Sequence, residues 1–385
     1  MTRYFDYAAA TPLDPVVLAA MQPYFTEKFY NPSALYLAAK DVAKDIAAAR
    51  AAIAGHLGAR PAEIIFTAGG TEANNLAIKG IMQNMLEDGP LAGSEGNVVV
   101  SSVEHESVLK PAHEYDCQEA PVNAKGQVDV AALVQMINDQ TVLVSVMYAN
   151  NEIGTIEPIR DLAGQLEIIR KQRQKAGNKL PLYLHTDACQ AAAYLDLHVS
   201  RLGVDLLTLN GGKIYGPKQV GALYVRASVE LHPQVLGGGQ ERGMRSGTEN
   251  VAGIIGLAKA LDVVQARRHD ETERLQRLQK LFIEQLEAKI PGVVVNGSRK
   301  HRLPNNIHVT IPGQDNERLI MALDEAGIQA AAGSACSASN DEPSHVLKAM
   351  GCTDAEAQAS LRFTMGRTTT TADIDTCVKV LRALL

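Results

Sequence analysis

The chain has no basic tract, and its net charge is −6. A direct nucleic-acid partner is therefore not expected, because neutralising a phosphate backbone takes clustered lysine and arginine. No apolar stretch approaches the ~18 residues of a membrane span. The run "VAGIIGLA" (251–258) stops at Lys259. The opening "MTRYFDYAAATPLDP" lacks the apolar core of a secretory signal. Cysteine is sparse: Cys117, Cys189, Cys336, Cys352 and Cys377 are odd in number, widely spaced and never arranged as CxxC. That pattern argues against a disulfide framework or a zinc site and for a reducing cytoplasm. No internal repeat or low-complexity tract is present. No GxGxxG opens a helix after a strand with an acidic residue about 20 positions on, so a nicotinamide cofactor is not indicated.

What is present is a chain of 385 residues, 46% hydrophobic, enough for two or so domains with a large core. From about 60 to 225, short apolar runs alternate with helix-like stretches. The runs are "EIIFT" (63–67), "NVVVSS" (97–102), "TVLVSVMY" (141–148), "LPLYLH" (180–185), "VDLLTLN" (204–210) and "VGALYV" (220–225). They predict strands buried on both faces, hence a mainly parallel α/β sheet. Helices are predicted over 72–87 and 159–175. A long amphipathic helix with a break is predicted over 251–290, with Leu275, Leu278, Phe282 and Leu286 at helical spacing. Beyond it come a strand (306–311), a helix (316–327), a cysteine loop, a helix (343–351), a strand (360–365) and a helix from about 371. These describe a smaller α+β domain, with the boundary near 255–265.

Ligands of parallel α/β sheets sit outside the carboxyl ends of the strands. After 63–67 comes "AGGTEANN", where Gly69, Gly70 and Thr71 open a helix and form a cup for a phosphate. After 97–102 comes His105. After 141–148 come Asn150, Asn151 and Glu152. Asp187 follows 180–185 as a counter-ion for something cationic. Lys213, in "GGKIYGPK", follows 204–210, flanked by glycines and able to form a Schiff base. A phosphate cup, a histidine, an asparagine, a carboxylate and a lysine on one sheet edge suit pyridoxal phosphate (PLP).

One cysteine stands apart. Cys336, in "AAAGSACSASNDEPSHVL" (330–347), has Gly333, Ser334, Ser337, Ser339, Asn340 and Asp341 around it. A thiol that only packs has apolar neighbours. A mobile, exposed loop is expected here, ended by Pro343 as the first residue of the next helix.

The chain resembles the PLP-dependent cysteine desulfurases of the NifS/IscS type, in the class V aminotransferase superfamily. The resemblance runs from "YFDYAAATPLDP" to about residue 382. It rests on "NPSALY", "FTAGGTEANNLAIKG", "VEHESVL", "NNEIGT", "HTDACQA", "GGKIYGPK", "GGGQERGMRSGTEN", "GSACSAS" and "LRFTMGRTTT". It implies a fold-type I α/β architecture: a large PLP-binding domain over 15–258, with a mainly parallel seven-stranded sheet. Residues 1–14 with 259–385 are then a smaller α+β domain carrying the cysteine loop. The implied activity converts L-cysteine to L-alanine and leaves a persulfide on Cys336. Lys213 is the implied cofactor lysine, Asp187 the partner of the pyridine nitrogen and His105 the ring-stacking residue and acid/base candidate. Gly70, Thr71 and Asn210 are implied on the phosphate, and Gln190 and Asn151 near the phenolic oxygen. Arg362, Asn151 and Asn31 are implied on the substrate. Thr248 would reach the phosphate of a partner subunit, so a homodimer follows, along with a sulfur-acceptor protein and a cytoplasmic location.

The sequence departs from the family at Asn210-Gly211-Gly212, where Ser-Gly-His or Ser-Ala-His is usual before the lysine, so a weaker or rearranged phosphate grip is expected. Tyr36 stands where histidine is common. The chain also stops at Leu385, without the longer tail that some members use to dock an iron–sulfur scaffold. The alternatives are a selenocysteine lyase or a sulfur-relay subunit with a weakened cofactor site. The pathway stays open, because iron–sulfur assembly, tRNA thiolation and DNA sulfur modification all begin with the same persulfide.

Overall fold

The computed structural model describes residues 2–92, 96–333 and 343–385. Cys336 and the middle of its predicted loop lie outside the described residues. The chain opens with a two-residue strand, β1 (Arg3–Tyr4). The central sheet comprises β2 (Ile64–Thr67), β3 (Asn97–Ser101), β4 (Asp116–Ala120), β5 (Thr141–Ser145), β6 (Tyr183–Asp187), β7 (Leu206–Asn210) and β8 (Gly221–Val225). Its seven strands run in the order β2-β8-β7-β6-β5-β3-β4. Only β8 is antiparallel to its neighbours; every other pairing is parallel. Every residue of β2, β3, β5 and β8 is buried. That explains the unbroken apolar runs: helices cover both faces, so no alternation survives.

The seventh strand carries no such signal. The β4 segment, "DCQEA", lies at the sheet edge, pairs only with β3 and keeps most of its residues exposed or half-buried. An apolar-run criterion passes over it. The run at 180–185 is displaced in the fold: β6 begins at Tyr183 and continues through Asp187, which pairs with Thr208. Asp187 is thus the last residue of its strand, not a loop residue beyond it. The long helix breaks at Arg267 into Val251–Ala266 and Arg268–Lys289. Leu275, Leu278, Phe282 and Leu286 form the buried stripe of the second piece.

The remaining strands are β9 (Val294–Val295), β10 (Asn306–Thr310), β11 (Ile328–Gln329) and β12 (Ser360–Thr364). An antiparallel sheet forms in the order β12-β10-β9, and β1 joins β11 in parallel. The N-terminus therefore packs against the C-terminal third. Phe5, Phe282 and Phe363 fasten it there, with ring centroids 5.3 to 6.2 Å apart. The helix expected from Pro343 spans His345–Ala349, with Ser344 as its N-cap. The Ser344 hydroxyl satisfies the Leu347 N–H, so the helix starts after it and Pro343 stays outside. Among the described residues no helix is long and apolar enough to cross a membrane.

Candidate active site

The pairing directions bring the carboxyl ends of β2, β3, β5, β6 and β7 to one edge of the sheet. A cavity of about 300 Å³ lies there, within the range of small-molecule sites. Gly70, Thr71, His105, Asn151, Asp187, Gln190, Asn210, Lys213 and Arg362 all line it. Asn31 and Thr248 are exposed and line neither this cavity nor the recess beside it.

Lys213 ends a short turn, Gly211–Lys213, that follows β7 and is capped by the Asn210 side chain. Its Nζ donates to the carbonyls of Ala8 (2.8 Å) and Ala9 (2.7 Å). Burial holds its pKa below the usual lysine value, against the pull of Asp6 and Asp187. Gln190 Nε2 shares the Ala8 carbonyl at 3.0 Å.

Asp187, 9% exposed, accepts from the Asn74 amide at 2.7 Å and from the Cys189 N–H at 2.8 Å. The Asn74 amide also donates to Ser107 Oγ at 2.9 Å, which lies 2.8 Å from His105 Nδ1. His105 caps the helix Glu106–Ala112, its Nδ1 accepting from the Ser107 N–H at 3.1 Å. An accepting Nδ1 carries no proton, so the proton of the neutral ring sits on Nε2. Burial lowers the His105 pKa, which favours this neutral ring, while Asp187 pulls the other way. One polar chain thus links His105 to Asp187 through Ser107 and Asn74. Sequence reasoning missed both intermediates. The available signal was a polar residue, Asn74, on the apolar face of the helix Gly70–Gln83, where it is 1% exposed.

The cup expected for a phosphate is a glycine turn leading into an uncapped helix. Gly69 holds φ +149° and ψ −178°, a region essentially restricted to glycine, and no side chain caps the helix Gly70–Gln83. Its first N–H groups are left for an anion. A Cβ on Gly70 would meet Cys189 Sγ at 2.8 Å, so the close approach requires glycine. The recess beside the cup, about 590 Å³, is lined by Gly69–Glu72, Asn210, Gly212 and Lys218 among others. Asn210 spends its Oδ1 on the Gly212 N–H at 3.0 Å, and its Nδ2 has no partner among the described residues. The Gly212 carbonyl accepts from both the N–H and the hydroxyl of Thr11. Both backbone groups of Gly212 are therefore engaged, and this position has nothing left for a phosphate. The two arginines of the Gly-rich stretch find partners inside the chain. Arg245 pairs with Glu72, and Arg242 donates to the Ile64 carbonyl.

Arg362, on β12, is 1% exposed. Its Nη2 donates to Asp6 at 2.8 Å and its Nη1 to the Asn151 carbonyl at 3.0 Å, while its Nε is buried with no acceptor. A buried guanidinium N–H without a partner is costly. At a cavity wall it marks a place for an anionic ligand group such as a carboxylate.

A half-buried lysine beside a carboxylate and an uncapped helix N-terminus define a site of the PLP-enzyme class. The aminotransferase class-V family model matches residues 3–377. The chain is 42% identical to the cysteine desulfurase IscS of Dictyoglomus turgidum, covering 99% of this chain and 94% of the relative. A solved NifS-like protein superposes with a TM-score of 0.89 at 28% identity, covering 100% and 99% of the two chains. A structure described as SspA in complex with cysteine matches with a TM-score of 0.80 at 34% identity, covering 94% and 99%. The chain belongs to the aminotransferase class-V family and, within it, to the cysteine desulfurases of the NifS/IscS type. The fold is the α/β architecture of fold-type I, and the family's members are PLP enzymes.

Proposed function

We propose that this protein is a PLP-dependent cysteine desulfurase that hands sulfur from L-cysteine to an acceptor protein through Cys336. The observation that carries the reading is the convergence of Lys213, Asp187, His105, Gly70 and Thr71 of the cup, and Arg362 on one cavity of about 300 Å³.

The residues fit the cofactor. The glycine-bounded cup and the free Asn210 amide suit its phosphate, Asp187 its ring nitrogen and Lys213 its aldehyde. Bound there, PLP would supply an electron sink for charge developing at the substrate Cα. The remaining work falls to the chain. Arg362 takes the substrate carboxylate. Lys213, whose charged form burial disfavours, removes the Cα proton. His105, protonated on Nε2 in its neutral form, moves a proton at the substrate thiol. The Cys336 thiolate attacks the substrate sulfur. The Cβ–S bond breaks, its electron pair stays on the carbon skeleton, and a proton completes alanine. The new S–S bond leaves the persulfide on Cys336.

A homodimer completes the reading. Thr248 is exposed and lines neither its own cavity nor the recess beside it, which supports delivery to a partner's recess. Phe25, Phe29, Leu35, Leu37 and Leu236 are 61% to 86% exposed, apolar side chains available to a subunit contact. The four described cysteines are free, which supports a reducing, cytoplasmic setting.

The test is to add L-cysteine to the purified protein, then measure alanine and map persulfide by mass spectrometry. Alanine with modification at Cys336 is expected. Persulfide confined to another cysteine, or a Lys213→Ala protein that keeps its yellow absorbance and full alanine yield, overturns the assignment.

A further inference from the structure

Glu152 has no role in the chemistry above, although it follows Asn151 directly and is only 1% exposed. Its backbone is held on both sides. The Glu152 N–H donates to Asn150 Oδ1 at 2.8 Å, and its carbonyl accepts from the Asn306 amide on β10 at 2.9 Å. The carboxylate then meets both described ends of the segment that carries Cys336. Ser344 Oγ donates to Glu152 Oε2 at 2.6 Å, and a Cβ on Gly333 would lie 3.2 Å from the same oxygen. One flank of the cysteine-bearing stretch is therefore bonded to this oxygen and the other packs beside it.

Neighbouring contacts reinforce each end. Ala331 exchanges two backbone hydrogen bonds with Arg362, at 3.1 and 2.6 Å. His345 Nε2 lies 2.9 Å from the Glu104 carbonyl, one residue before His105. Ser344 also accepts from the Leu347 N–H, so its single hydroxyl proton is committed to Glu152. Asn151, whose carbonyl holds Arg362, joins this anchor to the cavity wall. Cys336 is three residues from Gly333, a reach of at most about 10 Å of extended chain. An anchor one residue from the wall thus sets where the thiol can arrive.

We infer that Glu152 is a positioning residue: its buried carboxylate ties Ser344 to the Asn151 loop, with Gly333 packed beside the same oxygen, and so sets the approach of Cys336 to the substrate sulfur. The inference rests on the proposed function. It adds a division of labour, with Arg362 receiving substrate, Lys213 and Asp187 serving the cofactor and the Cα proton, and Glu152 governing only the transfer of sulfur.

Two readouts on the holoenzyme separate these roles. The visible-spectrum change on adding cysteine reports substrate entry. Single-turnover mass spectrometry reports persulfide on Cys336. Glu152→Ala is expected to leave the cysteine concentration for half the spectral change unaltered. Persulfide formation should slow by roughly tenfold to a hundredfold, as for a small misplacement of a reacting group. Ser344→Ala should slow it in the same direction, and combining the two should add no further loss. Glu152→Gln, whose amide oxygen can still accept, and Ser344→Thr should keep most of the rate.

A wild-type persulfide rate in Glu152→Ala overturns the inference. So does full additivity, or parallel loss of the spectral change. If Glu152→Ala does not fold, Ser344→Ala against Ser344→Thr decides, and equal rates overturn it. A wild-type protein that gives the spectral change but no persulfide on Cys336 overturns the proposed function along with the inference, a result distinct from failure of Glu152 alone.

Discussion

Asn74 and Asp187, 113 positions apart, share a buried hydrogen bond of 2.7 Å. The Asn74 amide also reaches Ser107, so it couples the carboxylate to His105 at one remove. Asn74→Ala would leave one Asp187 oxygen without its donor, a loss of about 1–3 kcal/mol for a buried group. The expected outcome is a lower melting temperature and a lower ratio of bound cofactor to protein by absorbance. Asn74→Asp should be worse, since it sets a second carboxylate against the first. A variant with full cofactor content and unchanged stability would refute the link.

Gly212 offers no free group to a phosphate, because its N–H serves Asn210 and its carbonyl serves Thr11. A Cβ there would meet only ordinary contacts, with Lys218 Cγ at 3.4 Å and Asn210 Oδ1 at 3.6 Å. Gly212→His should therefore fit and restore a donor beside the cup. A charge-assisted bond to phosphate contributes about 1.5–3 kcal/mol, so cofactor release should slow by roughly ten- to a hundredfold. Dialysis followed by absorbance measures it. Release at the original rate would show that the recess holds phosphate elsewhere.

Gly70→Ala should cost about 1–3 kcal/mol, because the added methyl would come within 2.8 Å of Cys189 Sγ. Cys189→Ala removes that atom. The double variant should recover much of the loss in urea unfolding, a coupling that two independent sites would not show.

Burial raises the Glu157 pKa to about 8, from an ordinary 4.5. Between pH 4.5 and 8 the folded protein keeps a proton that the unfolded chain releases. Glu157 thus stabilises the fold below pH 4.5, and the contribution fades as pH rises to 8, by at most about 1.4 kcal/mol per pH unit. His185 acts with the opposite sign below 6.5, because burial lowers its pKa to about 4. Above pH 6.5 the His185 contribution drops out, leaving Glu157 and the buried Glu104, which burial also raises well above the ordinary value, to act with one sign. Between pH 6.5 and 8, Glu157→Gln should lessen the fall in urea midpoint expected for the wild type, with Glu104 supplying the remainder. Identical slopes in both proteins would exclude Glu157 as the source.

Much of this was legible from sequence, for a local reason. Strands buried on both faces must be apolar throughout, so their ends are visible, and "AGGTEANN" and "GGKIYGPK" come directly after two of them. The β4 strand escaped because an edge strand has no apolar obligation. Asp187 was placed two residues beyond its run because the apolar run ends before the ladder with β7 does.

The sequence by itself determined the residue types and their order along one sheet edge, since each follows from the chain just before it. Tertiary structure alone decided which groups remain free. Asp6 meets Arg362 across 356 positions, Asn74 meets Asp187, the Thr11 hydroxyl takes the Gly212 carbonyl, and Glu152 receives Gly333 and Ser344. Such partners are set by how distant segments pack. A hydrogen bond depends on distance and direction in space, and spacing along the chain specifies neither.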